Sequence, residues 1–239
     1  MTVIILQARL DSSRLPRKAL LPLGGEPLVL RVMEALARVP AALRILACPE
    51  DSASTFRELA VSAGFQLFAG SKYDVLGRFR AAIRHFGLEG EGGCRIIRAT
   101  GDNPFVFCDA AETINVEAAS LGADYAGFAG LPYGAGVESL AVSALLRAER
   151  EAKTPYHREH VCPYLYENGH SFALHRPLAP AKWRCPSMRL TVDTDADYEN
   201  AKLLYRDLLR GALPEERVLG EVISGAYNRI FPPPRAAPI

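Results

Sequence analysis

The densest chemistry in this sequence lies near its start, in Gln7-Ala8-Arg9-Leu10-Asp11-Ser12-Ser13-Arg14-Leu15-Pro16-Arg17-Lys18. Arg9, Arg14, Arg17 and Lys18 crowd beside two serine hydroxyls and a run of backbone amides. The segment directly follows Val3–Leu6, a β-branched apolar run that reads as a buried strand. Cations and N–H groups at the end of a parallel strand suit a polyphosphate. Arginine offers a fork that matches phosphate oxygens, and lysine a point charge. A solvated basic loop is the alternative, and the position right after the first strand weighs against it.

Two carboxylates stand at comparable places. Asp102 lies just past the apolar run Arg95–Ala99, and Asp193 just past Arg189–Val192, which reads as a short strand. In a parallel sheet both ends can face one site. Two hard oxygen donors facing a phosphate chain suit Mg²⁺, which binds through one or two carboxylates plus substrate phosphates. Asp102 also fits a turn before Asn103-Pro104. Asp195 is the further metal candidate, although acids in a first helical turn are favoured by the dipole. Thr194 caps that helix and Asp197 completes a T-x-x-D capping box. His157-Arg158-Glu159-His160, near Cys162, invites a zinc reading. The H-E-x-x-H pattern is absent, so the cluster reads better as an acceptor-pocket lining or a dimer contact. Trp183, the one tryptophan, reads as core or interface.

The elements that must position these residues alternate regularly through the first half. Strands are expected at 3–6, 44–47, 65–68 and 95–99. Helices are expected from Pro27, over 52–63, 74–86 and 108–121. This alternation implies an α/β fold, a mostly parallel sheet with helices on both faces, whose ligands bind at the carboxyl ends of strands. In the second half, 127–136 is glycine-rich loop or hairpin. Helices are expected over 142–153, 156–167 and from Thr194 to about 209. We expect one domain over 1–230, with an inserted acceptor-side lobe at 127–185 and a proline-rich tail at 231–239.

Composition sets the outer bounds. The 239 residues include 28 Lys and Arg against 27 Asp and Glu, a net charge of +1. Half the chain is apolar, so it is not disordered. The balanced charge argues against nucleic acid or an anionic membrane as partner. No apolar run approaches the ~20 residues a bilayer needs, and no signal peptide is evident. Five scattered cysteines without a CxxC pair suggest reduced thiols in a cytoplasmic protein.

Several motifs in order carry a family resemblance: A-R-x-x-S-S-R-L-P-x-K, D-V-L-G-R-F, R-x-T-G-D-N-P-F, H-R-E-H and R-L-T-V-D-T-x-x-D. The chain resembles spore-coat-polysaccharide-type cytidylyltransferases, relatives of the CMP-Kdo and CMP-sialate synthetases. The resemblance runs from residue 3 to about 205. It implies a Rossmann-like nucleotidyltransferase fold, CTP as donor, Mg²⁺ as cofactor and a homodimer. It implies a nucleotide site of Gln7, Ala8, Arg9, Ser13, Arg14, Lys18, Arg78, Arg98 and Asp102. Asp102 and Asp193 would hold the metal, and Arg14 and Lys18 would act on the phosphates. Arg78 would meet a base edge or phosphate, or else solvent. Glu138, in Gly134-Ala135-Gly136-Val137-Glu138, would bind acceptor hydroxyls or begin a strand, with His157, Arg158 and His160 completing the acceptor side. Arg17 departs from the family, which usually has glycine there. The activity implied is CMP transfer to a sugar acid, or to a phosphate or phosphonate, with release of pyrophosphate. The rival is a glycosyltransferase using Asp193-Thr194-Asp195 as a D-x-D metal motif, although such motifs usually lie mid-chain. A non-catalytic nucleotide-binding module is the third alternative.

Overall fold

The computed structural model describes residues 1–90 and 92–211. The tail at 231–239 and the expected domain end at 230 lie outside the described residues. The chain opens with β1 (Thr2–Gln7), a small hairpin of β2 (Pro22–Leu23) and β3 (Glu26–Pro27), and α1 (Leu28–Ala37). Next come β4 (Leu43–Pro49), α2 (Ala53–Ser62), β5 (Gln66–Gly70), α3 (Val75–His85), β6 (Arg95–Thr100) and α4 (Cys108–Ser120). The second half holds β7 (Tyr125–Ala126), β8 (Glu138–Ala141), α5 (Val142–Glu151), α6 (Pro155–His160), α7 (Pro163–Glu167), β9 (Leu174–His175) and α8 (Asp195–Gly211).

Parallel strands buried on both faces must be apolar throughout, and β1 obeys: Val3, Ile4, Ile5 and Leu6 are fully buried. Alternation sends Ile4 and Leu6 into one core with α1, α2 and α4. Val3 and Ile5 enter a second core with α3 and α5. Helices thus cover both faces, as expected. The sheet order is β5-β4-β1-β6-β8-β7-β9. The first four strands are parallel, whereas β8 pairs antiparallel with β6, and β7 with β8. From β1 the chain steps outward to β4 and β5, then returns to place β6 on the other side of β1. The strand order therefore reverses between β1 and β6, and a crevice opens there beyond their carboxyl ends. Gln7 and Thr100 are register partners at its floor.

The segment 127–185, expected as an inserted lobe, contributes β8 and β9 to this same sheet. Arg95 locks β8 in place. Its buried guanidinium donates to Ser139 Oγ (3.0 Å), the Ser139 carbonyl (3.3 Å) and the Ala123 carbonyl (2.6 Å). Ser139 Oγ donates in turn to Asn115 Oδ1 (2.7 Å). Arg95→Ala orphans these buried acceptors and should cost about 2–4 kcal/mol in urea unfolding.

Two expected elements differ. The helix expected over 156–167 is two, α6 and α7, because Pro163 has no N–H with which to continue the first and instead opens the second, where that N–H is not needed. Val161 between them takes φ 71°, ψ −60°, and the Cys162 N–H reaches the His160 carbonyl (2.9 Å), closing a tight three-residue turn. The strand expected at 189–192 joins no ladder; Arg189 makes only an isolated bridge with Tyr133. Instead the Leu190 N–H donates to the Tyr133 carbonyl (2.7 Å) and the Val192 N–H to the Asp102 carbonyl (2.8 Å). The backbone can lie this close because residue 134 is glycine: a Cβ there would fall 2.6 Å from the Thr191 nitrogen.

Candidate active site

A cleft of about 720 Å³ occupies the crevice beyond β1 and β6. One wall is the loop after β1, and the turn at Thr100–Asn103 forms the floor. Gly101 permits the join. Its N–H donates to the Gln7 carbonyl (2.8 Å), and a Cβ there would lie 2.8 Å from Ala8 Cβ. Because Val192 hangs on the Asp102 carbonyl, Asp193 arrives beside Asp102 although 91 positions separate them.

Lys18 stands between the two acids. Its Nζ donates to Asp102 Oδ2 (2.7 Å) and Asp193 Oδ1 (2.8 Å). Arg14 approaches the same Asp193 oxygen at 3.3 Å, and Arg189 donates to the other at 2.7 Å. Burial alone would raise the Asp193 carboxyl, but Lys18, Arg14 and Arg189 hold it below the ordinary carboxylate value. Asp197 does what its capping box predicts: it accepts from the N–H groups of Asp193 and Thr194 (3.0 Å each), while Thr194 Oγ1 accepts from the Asp197 N–H (3.2 Å). Asp195 is exposed in the first turn of α8 and does not line the cleft, so it is withdrawn as a metal ligand. The D-x-D required by the glycosyltransferase alternative is thereby lost as a metal motif.

The structure brings Gln7, Ala8, Arg9, Ser13, Arg14, Lys18, Arg78, Arg98, Asp102, Glu138, His160 and Asp193 to one cleft. Arg78 lies under the loop end of β5, 3% exposed, and gives one N–H to the Ser71 carbonyl (2.6 Å). Its Nε, and Asn103 Oδ1 across the cleft, are buried without a hydrogen-bond partner. Burial pulls the Arg78 guanidinium down to about 10, so it stays charged at neutral pH. At the other end Glu138 accepts from Arg98 and from the Tyr125 hydroxyl (3.1 Å), and Arg98 Nε reaches Gln7 Oε1 (3.1 Å). Arg9 reaches Glu159 of α6 (3.7 Å).

His157 and Arg158 do not reach the cleft. His157 Nε2 pairs with Glu167 (2.7 Å) and its ring lies edge-on to Tyr164. Arg158 binds Asp74, which itself caps α3 by accepting from Gly77, and donates to the Glu149 carbonyl (2.7 Å). Both residues hold α6 against its neighbours; an acceptor role is withdrawn for them. The zinc alternative fares no better: among the described residues no group of three or more His, Cys, Asp or Glu converges.

Sequence reasoning missed three residues here. Lys72 bridges Asp11 and Asp51 at the cleft edge (2.8 and 3.0 Å). Arg176 lines the acceptor end, stacked 5.5 Å from the Tyr166 ring centre, with no ion pair among the described residues. Neither carries a sequence signal. Arg189 does, because it stands four residues before Asp193. Arg17, by contrast, is exposed, off the cleft and in the left-handed region (φ 55°, ψ 28°), a conformation that glycine adopts without a Cβ penalty. Arg17→Gly should therefore raise stability by roughly 1 kcal/mol in thermal melts and leave nucleotide affinity unchanged.

An α/β sheet with a crevice at its strand-order switch and a cationic loop beside it has the charge and shape to suit a polyphosphate. The cytidylyltransferase profile matches residues 3–219, and the chain belongs to that family. It is 32% identical over 211 residues to the spore coat polysaccharide biosynthesis protein SpsF of Bacillus subtilis, covering 85% of this chain and 86% of that one. A cytidylyltransferase structure from Leptospira borgpetersenii superposes with a TM-score of 0.84 at 25% identity, covering 99% of both chains. A CMP:2-keto-3-deoxy-manno-octonic acid synthetase complexed with CTP superposes with a TM-score of 0.66 at 16% identity, covering 86% of this chain and 98% of that one.

Proposed function

We propose that this enzyme transfers CMP from CTP to a sugar acid or related anionic acceptor, for polysaccharide or glycoconjugate synthesis. The observation that carries the reading is the cluster of Lys18 between Asp102 and Asp193, under a cationic loop, at the strand-order switch. An acceptor hydroxyl oxygen attacks the α-phosphorus of CTP, the bond to the β-phosphate oxygen breaks, pyrophosphate leaves and the hydroxyl proton passes to solvent. The chain works by positioning and charge neutralisation.

Asp102 and Asp193 offer hard carboxylate oxygens to one point, which fits a divalent cation that takes its other ligands from phosphates. Mg²⁺ bound there would supply charge neutralisation on the phosphate chain. When the triphosphate enters, Lys18 and Arg14 exchange their carboxylate partners for phosphate oxygens. Arg9 and Ser13 bind the same chain. Arg78, whose buried Nε lacks an acceptor, meets the base edge. A buried donor of this kind rejects a base that cannot satisfy it. ATP should accordingly run at least ~10-fold below CTP in kcat/KM.

The acceptor end is walled by Glu138, His160, Tyr156, Tyr166 and Arg176. Arg176, stacked on Tyr166 and without an ion pair among the described residues, favours an acceptor bearing an anion, and so keeps phosphate or phosphonate acceptors as the second reading. A homodimer working in the cytoplasm completes the proposal; light scattering of the purified chain tests the dimer. The decisive experiment screens CTP against sugar acids, sugar phosphates and phosphonates for pyrophosphate release. CTP binding without turnover across all three classes would favour a non-catalytic binding module instead.

A further inference from the structure

Arg189 has no place in the cleft, yet it grips what the cleft needs. Its Nη2 donates to Asp193 Oδ2 (2.7 Å) and its Nε to Asp197 Oδ1 (2.9 Å). Nη2 also reaches Asp197 Oδ2 (3.3 Å). The guanidinium lies 4.9 Å from the ring centre of Tyr133, a cleft-lining residue of the glycine-rich loop at the acceptor end. The backbones are joined as well, through Tyr133 N–H to the Met188 carbonyl (2.8 Å) and Leu190 N–H to the Tyr133 carbonyl (2.7 Å).

Asp193 therefore has one oxygen turned inward to Lys18 and the other turned outward to Arg189. Without the outer contact Oδ2 loses its partner and the carboxylate is held by Oδ1 alone, through Lys18 and Arg14, the two cations that the proposed reaction moves to phosphate. Asp197 ties down the Asp193 N–H and holds the Arg189 fork in register. A fork spanning two carboxylates is something a lysine point charge cannot reproduce.

We propose that Arg189 is a positioning residue for nucleotidyl transfer. It fixes the orientation of the Asp193 carboxylate and couples it, through Tyr133, to the acceptor loop. The proposal rests on the reading of Asp193 as a metal ligand, and the test separates the two. Outer contacts that orient metal ligands are typically worth 10–100-fold in metal affinity. A merely structural surface pair on a side chain 42% exposed would be worth almost nothing to the metal.

The experiment titrates Mn²⁺ into the full chain saturated with CTP, reading bound Mn²⁺ by electron paramagnetic resonance, with melting temperature recorded for each variant. Arg189→Met should weaken Mn²⁺ uptake about 10-fold or more while CTP affinity without metal changes little. Arg189→Lys, which is the safer variant for folding, should fall between it and wild type. Asp193→Asn should weaken uptake further, and in that background Arg189→Met should add nothing, because the contact it removes acts through Asp193. If Arg189→Met and Arg189→Lys bind Mn²⁺ as wild type does, or if the loss persists in full on the Asp193→Asn background, the positioning role is overturned and the metal site stands. If Asp193→Asn itself leaves uptake unchanged, the metal reading falls and this proposal with it.

Discussion

Asp193→Asn is expected to abolish measurable CMP transfer, a loss of at least about three orders of magnitude in kcat. A metal that neutralises developing phosphate charge is worth several kcal/mol, and each 1.36 kcal/mol is a decade in rate. The fold should survive. Asp193 precedes the capped helix α8, and the contact that places it, Val192 N–H to the Asp102 carbonyl, is made by backbone. The side-chain ion pairs it would lose are partly wet: the Arg14 side chain is 64% exposed. A second readout moves the opposite way. Lys18, Arg14 and Arg189 all lean on this carboxylate; without its charge Lys18 keeps Asp102 and Arg189 keeps Asp197, but the cluster holds one negative charge fewer and Arg14 loses the acid it approaches. CTP or pyrophosphate without metal should then bind more tightly to Asp193→Asn than to wild type in calorimetry, although turnover is gone. Wild-type turnover, or weaker metal-free binding, would contradict the assignment of Asp193 as the acid that both cations and metal share.

The parts of this molecule that were legible in the sequence are those whose structure is local. Val3–Leu6 must be a buried strand because four consecutive apolar side chains need two cores, and two cores are what they meet. Helix α3 begins at Asp74 because its carboxylate caps the Gly77 N–H, a short-range bond. The place of the loop at 7–18 beside the cleft was visible for the same reason: its cations are neighbours in sequence and all stand just past a strand. Region 155–193 was harder because its elements are held from afar. Strands β7 and β9 are two residues each, too short for periodicity to reveal. Arg158 and His157 carry a polar pattern that suits a pocket, yet their partners are Asp74, Glu149 and Glu167, which no spacing rule connects. Asp193 was placed rightly beside Asp102 for a partly mistaken reason. No strand carries it there; an extended segment does, tied to the Tyr133 backbone and, through the Val192 N–H, to the Asp102 carbonyl. The sequence also offered no sign that Lys18, expected on phosphate, would stand between the two acids.

That position makes Lys18→Ala the most informative substitution of the loop. The ammonium stands between Asp102 and Asp193 in the protein without nucleotide, and the proposed reaction gives it a second station on the leaving pyrophosphate. Losing the second contact removes a preorganised charge from the point where negative charge grows, which costs about two to three orders of magnitude in kcat when one such donor is deleted. Because the contact strengthens toward the transition state, kcat should fall along with kcat/KM, and KM for CTP should change little. Losing the first contact has a separate consequence. Asp102 and Asp193 would then face each other without the cation that bridges them at 2.7 and 2.8 Å, so the pair should take up Mn²⁺ in the absence of nucleotide more readily than wild type does. Arg14→Ala should be milder in kcat, since its side chain is mostly exposed and reaches Asp193 only at 3.3 Å, and Arg17→Ala should be close to neutral, since Arg17 lies off the cleft. A graded series of Lys18, Arg14 and Arg17, with metal uptake rising only in the first, is the signature of an ammonium that gives way to the cation. Equal small effects at all three positions would make the loop a solvated basic turn, worth roughly 0–1 kcal/mol per charge, and would move the triphosphate elsewhere.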